Sequence, residues 1–151
     1  MAVSAETVKQ LRDATGISVM ECKKALEEAA GDMGRAVAIL KERSASMVAK
    51  KSDRELGAGV VATYVHSNSQ VGAIVLLSCE TDFVSKNAEF GVLGRDVAMQ
   101  VAAMRPDTVE VLMAEPFIKD TSKTIGDLLS AATQKFGERI VVTEMSCFSV
   151  Q

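Results

Sequence analysis

Val71-Gly72-Ala73-Ile74-Val75-Leu76-Leu77-Ser78-Cys79 runs directly into Glu80-Thr81-Asp82-Phe83-Val84-Ser85-Lys86-Asn87. From Val71 to Leu77 every residue is apolar or glycine, the pattern of a strand covered on both faces, and from Asn87 the apolar spacing switches to a helical period. The polar corner between them holds Glu80, Asp82 and one large aromatic, Phe83. Strand-to-helix loops often carry functional side chains, because the flanking elements hold them rigid. Two readings of Phe83 stand side by side: a core aromatic that staples the helix start with Asp82 as its cap, or an exposed contact residue.

Upstream of the corner, Gly57 and Gly59 open a β-branched run, Val60 to His66, and Ser67-Asn68-Ser69 turns it into Gln70 to Cys79, an antiparallel hairpin. Downstream, Phe90, Leu93, Val97, Val101 and Met104 recur at spacings of three and four, which predicts a helix packed on that hairpin and ending before Arg105-Pro106. Gly91 and Gly94 within it each lower helix propensity by about 1 kcal/mol against alanine, and close backbone approach to the hairpin would explain both. Asp107 to Glu115 has room for one helical turn or two, and Pro116 separates it from the short segment Phe117-Ile118-Lys119. Thr124 and Asp127 then start a helix with Ile125, Leu128, Leu129 and Ala132 inward and Gly137 at its end, and Ile140 to Val150 reads as a last strand joining the hairpin.

The amino-terminal third is helical. Ser4 caps a first helix with Val8 and Leu11 on one face, and Gly16 suits the left-handed residue that ends it. Ser18 and Glu21 form a capping box before Met20, Leu26 and Ala29, and Asp32 caps a third helix carrying Met33, Val37 and Leu40. Val19 and Met20 are adjacent at a helix start, so both cannot point into so small a core. Met20 is either core with Val19 tolerated, or both belong to an interface. The organisation expected is therefore α+β: a three-helix bundle over residues 1–43, a polar linker over 44–56 with helical potential, and an antiparallel sheet of about three strands backed by helices over 57–151.

The chain has 151 residues, 48% of them hydrophobic, enough to bury a small and a medium core. A net charge of −3, with Lys50-Lys51 flanked by Asp53 and Glu55, gives no clustered positive footprint, so no direct nucleic-acid partner is expected. No run approaches the roughly 18 apolar residues that span a bilayer, and Met1-Ala2-Val3-Ser4 lacks a basic segment followed by an apolar one; a cytoplasmic protein with no membrane partner is expected. Cys22, Cys79 and Cys147 lack metal-ligand spacing, a single histidine supplies no cluster, and a glycine-rich phosphate loop is missing, so neither metal nor cofactor is expected. The one enzymatic reading takes Cys79 as a nucleophile with His66 and Asp82 or Glu80. It conflicts with hairpin geometry, which leaves Cys79 roughly 30 Å along the strand from the turn near His66.

Glu80-Thr81-Asp82-Phe83-Val84-Ser85-Lys86, placed after a buried strand, resembles the signature of bacterial elongation factor Ts, the nucleotide exchange factor of elongation factor Tu. Leu11-Arg12-Asp13-Ala14-Thr15-Gly16-Ile17-Ser18-Val19-Met20-Glu21-Cys22-Lys23-Lys24-Ala25-Leu26 resembles that family's amino-terminal signature, and weaker similarity runs through Ser122 to Leu129 and the closing strand. The resemblance implies a ubiquitin-associated-like bundle, elongation factor Tu as partner, and an exchange role in which no bond is made or broken, so no enzyme. It further implies that the Asp82-Phe83 loop, with Thr81 and Val84 beside it, enters the partner near its nucleotide and Mg²⁺ site while Leu11, Val19 and Met20 grip elsewhere. Long members carry a second core subdomain and a helical hairpin that this chain lacks after Met104. The resemblance to short members implies a homodimer through the sheet domain, and the two-faced apolar strand Val71 to Leu77 also asks for a second covering layer. Leu76 and Ser78 stand where the family usually has Glu and Asn. A noncatalytic ubiquitin-associated-like adaptor is the remaining alternative, and the pattern leaves open whether Cys147 bridges subunits.

Overall fold

The computed structural model describes residues 2–151; Met1, the first residue of the expected bundle, lies outside them. The chain divides into two compact units, one formed by the residues up to Ser52 together with Ser130–Gly137, the other by Asp53–Leu129 and Glu138–Gln151.

The first unit holds α1 (Ala5–Thr15), α2 (Val19–Glu28) and α3 (Met33–Lys50). Each start is capped by the residue expected from sequence: Ser4 Oγ accepts the Thr7 N–H, Ser18 Oγ the Glu21 N–H and Asp32 Oδ1 the Arg35 N–H. Only the forward half of the capping box follows expectation, since Glu21 turns its carboxylate to Lys24 and Arg43. Gly16, at φ 72, ends α1 and returns its N–H to the Arg12 carbonyl at 2.7 Å. The core is built from Leu11, Ile17, Cys22, Leu26, Ala36 and Leu40. Ala36 takes the inward place expected of Val37, which is exposed. The stretch 44–50 is helical, so α3 runs past Arg43, with Ser44 buried and its hydroxyl donating to Gln134 Oε1.

The second unit is built on an antiparallel sheet in the order β1 (Ala58–Val65), β2 (Val71–Cys79), β5 (Val141–Ser149). Between β2 and β5 come α4 (Asp82–Ser85), α5 (Ala88–Met104), α6 (Val109–Ala114), the short hairpin β3 (Pro116–Phe117) and β4 (Asp120–Thr124), and α7 (Ile125–Phe136), which leads into the first unit. The α+β class expected from sequence is what forms. Helix α5 lies across β1 and β2, burying Phe90, Val97 and Val101. Gly94 is the close-approach position: a Cβ there would stand 3.1 Å from Ala62 Cβ and 3.2 Å from Val60 Cγ2. Gly91 differs from expectation, with open space around it, and Met104 is exposed, so the apolar stripe ends at Val101.

The segment after α5, ambiguous in sequence, is held by one polar side chain. Gln100 is fully buried; its Nε2 donates to the Pro116 carbonyl at 3.1 Å and its Oε1 accepts the Ile118 N–H at 3.0 Å. Thr124 and Asp127 do form a reciprocal capping box at the start of α7, with bonds of 3.0 and 2.9 Å.

Strand β2 departs from its sequence reading. Ala73, Val75 and Leu77 point to the helical face and are buried, but Ile74, on the opposite face, is exposed. Within one chain the sheet is covered on one side only. The register places Val61, Leu76 and Glu144 in one row of the open face, Thr63, Ile74 and Ser146 in the next, and Val65, Gly72 and Phe148 in the last. Ser78 lies near the end of that face, buried and bonded through its hydroxyl to Thr143 Oγ1 at 2.6 Å.

Candidate functional site

The corner after β2 is braced from beneath. Cys79 ends the strand fully buried and donates its Sγ–H to the Thr81 carbonyl at 3.3 Å. Glu138, just past the end of α7, faces the corner from the other segment. Its Oε1 accepts the N–H groups of both Glu80 and Thr81 at 3.0 Å, and its Oε2 accepts the Thr81 hydroxyl at 2.6 Å. In return Glu80 accepts the Arg139 N–H at 2.5 Å and pairs with Arg54 at 3.3 Å, while Arg139 Nη1 reaches the Arg54 carbonyl at 2.9 Å. These are charge-assisted bonds, roughly twice as strong as neutral ones.

On this brace sits α4, a single turn. Val84 is its buried foot. Phe83 is 88% exposed, which overturns the core-staple reading. Asp82 also differs from expectation, because it is the first residue of the turn and Thr81, extended at ψ 155, holds the cap position with its hydroxyl committed to Glu138. Asp82 is left exposed beside Phe83.

Of the residues expected to meet a partner, the second unit presents Asp82 and Phe83. Thr81 is exposed with its polar groups engaged, and Val84 is buried and serves as support. In the first unit Val19 is 48% and Met20 62% exposed at the start of α2, so the core reading of Met20 fails. Leu11 is fully buried; as a surface contact it is corrected to a core residue of the bundle, packed in one cluster with Ile17, Cys22 and Leu26. Sequence reasoning missed Glu138, Arg139 and Arg54. The charged pair Glu138-Arg139 stands between a helix-ending glycine and an apolar strand, where exposed charge is ordinary, so the sequence carried no distinctive signal for it.

The thiol reading does not survive the register. Cys79 pairs with Ala58, while His66 follows Val65 at the opposite end of the hairpin. Burial, with the nearby Glu138 carboxylate second, raises the Cys79 thiol above its ordinary range, so it is protonated near neutrality and a poor nucleophile. Cys22 is buried and likewise raised. Brief alkylation of the native protein is expected to leave both unmodified by mass spectrometry, with Cys147, half-buried, the first to react. Among the described residues no group of three or more His, Cys, Asp and Glu is placed to hold a metal ion, and no helix is long and apolar enough to cross a membrane.

Val19, Met20 and Phe83 are apolar tips exposed at helix starts, the class of surface that protein–protein docking uses. Comparison with known proteins narrows the class. The family model described as Elongation factor TS matches residues 2–110 and, in a second overlapping match, 80–151. An elongation factor Ts of Leptospira biflexa serovar Patoc is 38% identical over 195 residues, covering 99% of this chain and 98% of its own. That of Thermosipho melanesiensis is 53% identical over 108 residues, covering 72% of this chain and 55% of its own. The Clostridium kluyveri protein of the same name is 40% identical over 148 residues, covering 98% and 48%. The chain belongs to the elongation factor Ts family of translation elongation factors.

Proposed function

We propose that this chain is a noncatalytic guanine-nucleotide exchange factor for elongation factor Tu, working in the cytoplasm, with the Asp82-Phe83 turn entering the partner beside its nucleotide and Mg²⁺ site. The observation that carries the reading is Phe83 standing 88% exposed on a braced single turn. An aromatic left in water gains on the order of 1.5–3 kcal/mol once buried by a partner.

An exchange factor binds the nucleotide-free partner more tightly than the loaded one, and linkage makes the weakening of nucleotide affinity equal to that preference. Each tenfold requires about 1.4 kcal/mol of differential contact. Phe83 alone supplies one to two such factors if its pocket exists only when the nucleotide site is distorted. Asp82, next to it, brings a negative charge toward a site that holds Mg²⁺ and phosphate, which weakens phosphate binding through like-charge repulsion.

Release of fluorescent GDP from elongation factor Tu, with this protein at substoichiometric amounts, tests the reading. Complete release at a rate proportional to the added protein is expected; release at the intrinsic rate, with binding still measurable, would overturn it. The helical unit contributes grip through Val19 and Met20. Met20→Ala is expected to raise the half-saturating concentration about tenfold, from the loss of a buried methionine contact, with the release rate at saturation unchanged.

The open face of the sheet completes the proposal. Val61, Val65, Ile74 and Phe148 are all exposed on it in adjoining rows. Monomeric proteins seldom leave so contiguous an apolar patch in water. A second copy of the chain, laid face to face about 10 Å away as in a sandwich of two sheets, covers it.

A further inference from the structure

The geometry points to Glu138 as the positioning residue that presets the Phe83 turn, so that the speed of nucleotide release, more than the affinity for the partner, depends on its carboxylate. This inference rests on the exchange-factor reading above. Phe83 is too exposed to be aimed by packing. Its direction is set by the backbone on which α4 begins, and that backbone is held at Thr81.

All of the polar groups of Thr81 are engaged. Its N–H and O–H donate to Glu138 at 3.0 and 2.6 Å, and its carbonyl accepts from Cys79 Sγ at 3.3 Å and from the Ser85 N–H at 3.2 Å. The preceding Glu80 N–H meets the same Glu138 oxygen at 3.0 Å. One carboxylate therefore receives three donors from two consecutive residues. The brace is reciprocal, because the Glu80 carboxylate holds the Arg139 N–H, next to Glu138, at 2.5 Å. The segment entering the turn and the segment entering β5 thus each supply an acid that fixes the other's backbone.

Such a cross-brace does little for a loop that only needs to fold over a core, since Val84 already anchors α4 from below. Its effect is on where the turn starts. A side chain that must enter a partner without finding its direction afresh gains from a backbone ordered in advance, because the ordering entropy is then not lost on docking. Arg54 closes the brace from outside by pairing with Glu80 at 3.3 Å, an exposed contact that adds little by itself.

The test is stopped-flow GDP release over a range of concentrations of the full chain, for wild type, Phe83→Ala, Glu138→Ala and Glu138→Gln. Glu138→Ala is expected to lower the saturating release rate about tenfold while the half-saturating concentration moves less than about threefold, because the contacting side chains remain and only their placement is lost. Glu138→Gln keeps one oxygen for the two backbone donors and is expected to recover the rate to within about threefold of wild type. Amide hydrogen exchange at Glu80 and Thr81 should quicken about tenfold in Glu138→Ala, with the sheet amides of β2 unchanged. Should Glu138→Ala not fold, Thr81→Val removes only the hydroxyl bond in the same shape and is read in its place, with a fall in saturating rate expected. A folded Glu138→Ala, or the Thr81→Val stand-in, releasing at the wild-type maximum while Phe83→Ala is slow would overturn the positioning role alone. No acceleration by wild type would overturn the exchange reading and this inference with it.

Discussion

Phe83→Ala is expected to slow GDP release from elongation factor Tu by ten- to a hundredfold, the factor that follows from about 1.5–3 kcal/mol of buried aromatic contact. The fold should not register the change. Phe83 is 88% exposed, so its truncation leaves no cavity, and surface substitutions of this kind lie within about 0.5 kcal/mol, or about 2 °C in Tm for a chain of this size. The split between a large kinetic effect and a flat melting curve separates a docking aromatic from the core staple that the sequence also allowed. Release at the wild-type rate by a folded variant would remove Phe83 from the mechanism.

The same exposure explains what could be read in advance at this corner and what could not. Period and composition located the turn, because an all-apolar strand giving way to a helical spacing admits few other structures. They did not decide which way Phe83 points, since an aromatic at a helix start has the same sequence signature whether it staples or protrudes. The decision lies in Glu138, which takes the N–H and the hydroxyl of Thr81 from 57 residues away. A long-range acceptor leaves no local pattern. Asp82, expected as the cap by the local rule, is instead the first residue of the turn, with Thr81 at the cap position.

The helical unit divides in the same way. Its caps, its turn at Gly16 and most of its core followed from local signals, since each rests on contacts within a few residues. Leu11 was misplaced because its membership of a signature block says nothing about whether it contacts a partner or supports the residues that do. Its full burial assigns it to support. Around Pro116 the sequence was mute: Gln100, a polar residue on an apolar helix face, gave no hint that its amide would pin the next segment by two bonds.

Ile74→Lys is expected to convert a dimer of this chain into a monomer. The residue lies on the central strand, in the middle row of the open sheet face, between Thr63 and Ser146. In a single chain its side chain is already in water, so lysine there leaves the monomer fold intact. In a face-to-face pair each ammonium is carried into a mainly apolar layer, with Glu144 one row away on the neighbouring strand, and taking the charge out of water costs several kcal/mol, enough to weaken association by about a hundredfold or more. Sedimentation velocity over a micromolar range should show twice the chain mass for wild type and the chain mass for the variant. Reducing agent should change neither result. Cys147 shares the row of Tyr64 and Ala73 and so faces α5, away from the open surface, which leaves an intersubunit bridge through that surface without geometry. A wild type that sediments as a monomer throughout, or a variant that dimerises as well as wild type, would return the open face to solvent and require another partner to cover it. GDP release by the monomeric variant then asks a separate question. Phe83 and its brace lie within one chain, so each copy should retain a working turn when the pair is split.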